Sequence, residues 1–280
     1  MVIIELNEEN IGYYQDYIGV DICENLSREF YFGLIAVNDD EIRGGIIWHY
    51  KFLAGDIKSV IEWCAAADSA AAEALFDSYA SKIKEKNIKH SDIVVPVTKS
   101  GEEKEILKEA GFKVRLTESD NIIVTLSELS AMSLMKERKI PRGVTTLGDI
   151  TVRQFKEAIS KCFFAGKKGL CEDLDILPVS FFDPGISVCY VNKEDVVMGL
   201  LLFHILPSGM LSIQLMVCLD NNVGVVLPGM MRKFVTEMEE NYPPDTKILL
   251  NRHTEASLLL TEKLLPRGFG IPVYVGSREE

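Results

Sequence analysis

Residues 57–86 read IKSVIEWCAAADSAAAEALFDSYASKIKEK. The apolar-rich run Ile57, Val60, Ile61, Trp63, Cys64 suits a strand, and Leu75, Phe76, Tyr79 and Ile83 recur at helical spacing. Between them, Ala65 to Ala72 is a turn of small residues. A strand, a small-residue turn and a helix start together make a candidate anion site. First-turn N–H groups have no partner inside the helix and lie at the positive end of its dipole, and alanine lets an anion approach the backbone.

The same unit occurs again downstream. Val37-Asn38-Asp39-Asp40-Glu41-Ile42-Arg43-Gly44 and Val191-Asn192-Lys193-Glu194-Asp195-Val196-Val197-Met198-Gly199 are both a strand, a polar turn and a strand with an early glycine. Each then reaches an aromatic-His pair, Trp48-His49 and Phe203-His204, and a later strand ending at Cys64 or Cys218. Each half closes on a helix ending in Gly-Phe (Gly111-Phe112, Gly268-Phe269) and a last strand, Ile122 to Leu126 or Ile271 to Val275. From Gly44/Gly199 to Gly111/Gly268 the offset stays between 154 and 157 residues, which identifies an internal duplication. The expected domains are residues 1–128 and 147–280, with a linker at 129–146.

Composition narrows the function. The net charge of -12 is uneven: residues 1–130 hold 24 acidic and 13 basic side chains, residues 131–280 hold 18 and 17. That balance disfavours nucleic acid, whose affinity comes largely from phosphate neutralisation by Lys and Arg, and makes the second half the better host for an anion. No apolar run approaches the roughly 20 residues that span a bilayer, and the first residues lack a signal peptide's basic region. The expectation is a cytoplasmic protein without a membrane partner. Six cysteines (23, 64, 162, 171, 189, 218) without a Cys-x-x-Cys pair read as reduced, buried thiols, with no metal expected.

In chain order, each half reads strand, helix, three-strand meander, long helix, strand, helix, strand. Glu8 to Ile18 is expected as one helix, Ser100 as the cap of a helix to Ala110, and Thr254 to Leu265 as the matching helix. The fold class is α/β (α+β), two tandem domains, each a mixed, mostly antiparallel sheet flanked by helices.

Ile106-Leu107-Lys108-Glu109-Ala110-Gly111-Phe112 is similar to a Leu-Tyr-x-x-x-Gly-Phe ending, and Asn251, Ala256 and Leu258 before Gly268-Phe269 resemble a stretched Asn-x-x-Ala motif. With the element order, these make the chain resemble the GNAT acyltransferase superfamily, in tandem. The resemblance implies acetyl-CoA as cofactor, held where the fourth and fifth strands splay, with its pyrophosphate on the following turn and helix. It implies pyrophosphate contacts at Asn222, Val223, Gly224 and Val225, pantetheine pairing along Met216, Val217 and Cys218, and a contact at Asn251. The motifs also depart from the family. Where its loop reads Arg/Gln-x-x-Gly-x-Gly/Ala, the repeats have Ala67-Asp68-Ser69-Ala70-Ala71-Ala72 and Asn221 to Leu227. Its common tyrosine acid is Leu107 in one half and Leu264 in the other.

Acyl transfer to an amine needs a carbonyl-polarising N–H, a base and an acid. Glu62 and His204 are the candidate catalytic residues; for Glu62 the alternative is a wet strand face or pairing with a nearby cation, and for His49 and His204 packing retained after duplication. Arg252 and His253 stand at a strand-to-helix junction, as ligand contacts or as a solvated loop. Arg232 and Lys233 could attract a 3'-phosphate or lie on a solvated face. Cys64 and Cys218 read as nucleophiles or as small hydrophobes. The expected function is acyl-CoA-dependent N-acetyl transfer to a small amine, with the cofactor in the second half and the halves paired as an intrachain pseudo-dimer. The alternatives are a GNAT-fold binding or regulatory module without the chemistry, and aminoacyl transfer of the peptidoglycan-bridge type.

Overall fold

The structure is a computed structural model, which describes residues 1–53, 56–97, 103–136, 139–166, 174, 176–252, 258, 261–262, 265 and 270–280. The expected turn at 54–55, the cap at 100, Cys171, His253, Ala256, Leu264 and Gly268-Phe269 lie outside these residues. Of the expected helix 254–265, residues 258, 261, 262 and 265 are described.

The elements are β1 (Val2–Glu5), α1 (Gln15–Ile18), α2 (Val20–Asn25), β2 (Tyr31–Asn38), β3 (Glu41–Leu53), β4 (Asp56–Ala66), α3 (Ser69–Glu85), β5 (His90–Pro96), α4 (Glu103–Glu109) and β6 (Lys113–Thr125). There follow α5 (Leu126–Ala131), α6 (Ser133–Lys136), β7 (Val144–Thr146), α7 (Val152–Phe164), β8 (Val188–Val191), β9 (Val197–Ile205), β10 (Leu211–Cys218), α8 (Val223–Asn241), β11 (Lys247–Asn251) and β12 (Gly270–Glu279). The helix expected over 8–18 is instead a 3-10 turn (Ile11–Tyr13) and the short α1, because the backbone leaves helical space at Tyr14 (φ -113, ψ 0), and Gly19 at φ 102 then separates α1 from α2.

The chain forms two compact units, Met1–Ser119 with Ile271–Glu280, and Asp120–Gly270. In the first, the strand order is β1-β2-β3-β4-β5-β12 and then the start of β6. Pairing is antiparallel from β1 to β4, parallel for β4 and β5, and antiparallel for β5 and β12. Asp68 starts α3 by accepting the Ala71 N–H at 2.8 Å. Ala71, Ala72, Leu75, Phe76, Tyr79 and Ile83 then bury one face on Ile46, Trp48, Ile61 and Cys64. Asn87, at φ 55, ends the helix with a bond from the Ile88 N–H back to the Ile83 carbonyl.

In the second unit the order is the end of β6, then β11-β10-β9-β8-β7. It is parallel between β10 and β11 and antiparallel elsewhere. One core lies between this sheet and α8, and another between it and α7.

The closing strands depart from sequence order. The strand read as closing the second repeat, β12, pairs with β5 of the first unit (Val275 opposite Val94), and Ile122 of β6 lies opposite Leu250 of β11. Periodicity marks a strand but not its partner, which packing selects. Arg278 of β12 donates to the Ala110 carbonyl, pairs with both Glu280 carboxylate oxygens and lies 4.7 Å from the Phe112 ring centroid. The planar guanidinium thus fixes β12 to the first unit's core.

Tyr79 is fully buried, and its hydroxyl lies 2.7 Å from those of Ser59 and Ser91, which face each other across β4 and β5. One O–H donates once, so Tyr79 donates to one serine and accepts from the other. Tyr79→Phe removes the shared partner of two buried hydroxyls and is expected to cost about 1–3 kcal/mol. Both tryptophans, Trp48 and Trp63, lie in this unit, so urea unfolding followed by fluorescence reads that cost; a loss under about 0.5 kcal/mol contradicts it.

Candidate functional site

Strand register defines how the repeats correspond. Gly44 pairs with Ala66 and Gly199 with Cys218, so Cys218 matches Ala66 and not Cys64. His49 faces Val60 and His204 faces Ser212, making the second hairpin three residues shorter. This corrects the pairing of Cys64 with Cys218 read from sequence. In the corrected register, Glu62 and Gln214 occupy the same place: each is the extra residue of a β-bulge, in β4 between Ile61 and Trp63 and in β10 between Ile213 and Leu215. Among the described residues, parallel pairing ends just there, at Ile61/Ile93 and at Ser212/Leu249. Each unit therefore has a cleft edge where the last residues of its middle strand lack a parallel partner. In the second unit that edge includes Met216, Val217 and Cys218 of β10, and Asn251 ends β11.

The helix ends beside these edges differ. In the first unit Arg43, the bulged residue of β3, pairs with Asp68 at 2.5 Å, and Asp68 caps α3. The Arg43 guanidinium first, and then the Ala71 N–H, hold the Asp68 carboxyl below its ordinary value. The chain's own carboxylate thus fills the anion position, and the candidate anion site at Ala65 to Ala72 is closed. In the second unit Arg43 becomes Met198, the bulged residue of β9, and Asp68 becomes Asp220. The Leu219 N–H bonds the Met198 carbonyl as that of Ala67 bonds Arg43. Asp220 accepts the Asn222 N–H at 2.7 Å in a turn before α8 rather than capping the helix. The N-cap Asn222 makes no side-chain bond to α8, Asn222 to Val225 are exposed, and a Cβ on Gly224 would meet nothing within 4 Å. The first-turn N–H groups of Val223 and Gly224 are accessible to an anion.

The histidines also differ. His49 Nδ1 lies 3.0 Å from Glu62 Oε1, an ion-pair approach rather than an aligned hydrogen bond, and its ring stacks on Tyr31. His204 Nδ1 lies 2.7 Å from the Phe181 carbonyl and its ring lies flat on the Phe181 ring, centroids 3.8 Å apart. Glu62 and His204, the two expected catalytic residues, belong to different units. Gln214 escaped the sequence reading. It is buried, donates to Ser212 Oγ at 3.0 Å, and its signal was an amide interrupting the apolar run 211–218.

Other candidates are held structurally. Arg252 donates to Thr261 Oγ1 and the Leu265 carbonyl, Arg232 to the carbonyls of Leu134 and Lys139, and Lys233 pairs with Glu237. Burial pushes the Cys64 thiol up to about 12 and raises that of Cys218, opposing thiolate chemistry at either. Leu107 is fully buried in the core of the first unit. An apolar cavity of about 380 Å3, lined by Leu147, Thr151, Phe155, Val179, Phe182 and Pro184 among others, includes none of the expected site residues. Among the described residues, no helix is long and apolar enough to cross a membrane, and no cluster of acidic, His and Cys side chains could hold a metal.

No family model matches the sequence, and no curated protein does. Among solved structures, 99% of the chain superposes on a tandem GNAT protein from the clavulanic acid biosynthesis pathway, covering 98% of it at 10% identity and TM-score 0.63. The chain has the tandem GNAT fold. It also superposes over 99% of its length on the GCN5-related glucosamine N-acetyltransferase region of a fungal multi-domain GH3 beta-N-acetylglucosaminidase, at 8% identity and TM-score 0.64, spanning 38% of that chain. A probable N-acyltransferase from Enterococcus faecalis V583 gives 11% identity and TM-score 0.51, with 99% of this chain and 72% of that one covered. At these identities the likeness is one of fold. In tandem GNAT terms, the sequence-expected mixed α/β architecture is present in both units.

The Asp68 cap sets a pH dependence. A lowered folded-state value means that its stabilisation is complete above the unfolded 3.8 and is lost as pH falls through the folded value. Asp68→Ala is expected to melt below the wild type at pH 7, with the gap narrowing in scans taken below pH 3.8. A gap that is constant with pH would mean that the carboxylate charge contributes nothing.

Proposed function

We propose that the protein is an acyl-CoA-dependent N-acyltransferase for a small amine, with its cofactor site in the second unit. The observation that carries this reading is the contrast between the two helix ends, α3 closed by Asp68 and Arg43, α8 open at Val223 and Gly224.

The residues present fit an acyl-CoA. The N–H groups of Val223 and Gly224 take the pyrophosphate, flanked by Asn222 and Val225, while the main chain of Met216, Val217 and Cys218 offers pairing groups to the pantetheine amides. Asn251, ending β11, borders the same cleft. From Cys218 back to the bulge at Gln214 is about 13 Å at about 3.3 Å per residue. Acyl-CoA supplies a thioester carbonyl there. His204, opposite Ser212, would take the proton from the attacking amine; forming the C–N bond and breaking the C–S bond would release CoA as a thiolate that takes its proton from solvent. Glu62 remains with His49 in the first unit, which serves as scaffold.

A second reading, ligand binding without turnover, is favoured by the first unit, where the anion position is self-filled and Leu107 is buried in place of a tyrosine. Melting with acetyl-CoA comes first. Ligand at about 100 times its dissociation constant adds roughly 2.7 kcal/mol, which raises the midpoint by roughly 5–10 °C. Gly224→Asp, which has room for its side chain, is expected to weaken acetyl-CoA roughly tenfold or more by placing a carboxylate at the helix end. His204→Gln is expected to lower kcat roughly 100-fold or more with binding retained. Binding without release of CoA across an amine panel would select the second reading; no acetyl-CoA binding at all would defeat the enzyme reading and leave a module that has lost the chemistry.

A further inference from the structure

We propose that Phe181 is the positioning residue of this site, fixing His204 as its Nδ1–H tautomer so that the lone pair of the neutral ring lies on Nε2. The inference rests on the reading of His204 as the base and adds the device that makes it one.

A carbonyl only accepts, so the 2.7 Å contact between the Phe181 oxygen and Nδ1 requires the proton on Nδ1. The Phe181 ring fixes the imidazole plane as well, since the two rings are 4° from parallel. Phe181 ends a 3-10 turn, Val179–Phe181, and the segment that follows is tied to β9 one residue before His204. The Asp183 N–H bonds the Phe203 carbonyl at 2.9 Å, and Ser187 Oγ accepts the Phe203 N–H at 3.0 Å. Asp183 in turn accepts the N–H groups of Gly185 and Ile186, and the neighbouring Phe182 is buried against Phe155. Carbonyl, ring and strand are thereby held in one frame. His49 has the same register position without this frame, its Nδ1 facing the bulge carboxylate of Glu62. In the second unit the bulge residue is Gln214, which turns to Ser212 instead. The duplication has moved the partner of Nδ1 from a charged side chain to a backbone carbonyl, which cannot exchange a proton with the ring.

The test reads ring nitrogens directly. In the full chain labelled with 15N-histidine, at a pH where the rings are neutral, His204→Gln identifies its signals among the four histidines. Wild-type His204 is expected to show a protonated Nδ1 and an unprotonated Nε2. Phe181→Ala, which keeps the carbonyl and removes only the stacked ring, is expected to leave Nδ1 protonated and to lower kcat for acetyl transfer roughly tenfold, with the KM for acetyl-CoA unchanged. Phe181→Tyr, which keeps the stack, is expected to restore kcat. Should the alanine variant fail to fold, Phe181→Leu replaces it, and the wild-type spectrum stands without any variant. A wild-type His204 protonated on Nε2, or an alanine variant with unaltered kcat, overturns the proposal. A protein that binds no acetyl-CoA and acylates no amine sinks the proposed function separately, and the spectrum still decides what Phe181 does.

Discussion

Three hydroxyl groups meet where the first unit's parallel strands are about to part. Tyr79 reaches from α3 to Ser59 on β4 and Ser91 on β5, and two residues later the pairing ends and Glu62 bulges from the strand. The second unit answers with three apolar groups at the matching positions. Leu211 and Ile248 form the strand pair, and Phe234 of α8 stacks on Phe203, as Tyr79 meets Trp48. All three are fully buried or nearly so. Either set is acceptable in a core because no member is left unsatisfied, whereas a mixture would strand a hydroxyl. The helix is thus fixed at one point of the sheet, and the cleft opens beyond that point in both units.

The divergence of the repeats follows from small changes on this common frame. The first unit keeps an arginine on the β3 bulge and brings its aspartate directly to the helix end, so its charges satisfy each other. The second has a methionine on the β9 bulge and a longer loop between Asp220 and α8, which leaves the helix end to the main chain alone. No added basic residue is needed to make one helix end open to an anion and the other closed. Loop length and one bulge residue are enough.

The two bulges set the register of the middle strands as firmly as any motif. Glu62 is a carboxylate in one apolar strand and Gln214 an amide in the other; each is the extra residue of a bulge, which the apolar pattern of its strand does not reveal. The cysteines at 64 and 218 seemed equivalent because the sequence was aligned on residue type. Backbone pairing aligns on register, and register places them two residues apart.

Sequence by itself determined the duplication, the mixed α/β class and the long amphipathic helices, because these depend on local periodicity and on polar turns such as Asn38 to Asp40 and Asn192 to Asp195. Only the tertiary structure decided which strand closes which unit, which residue bulges, and whether a helix end is open. Each of those depends on a partner distant in the chain: Val94 for Val275, Arg43 for Asp68, the Phe181 carbonyl for His204. Periodicity records the face a residue presents, and the choice among partners of similar chemistry is made by packing and hydrogen-bond satisfaction over the whole unit.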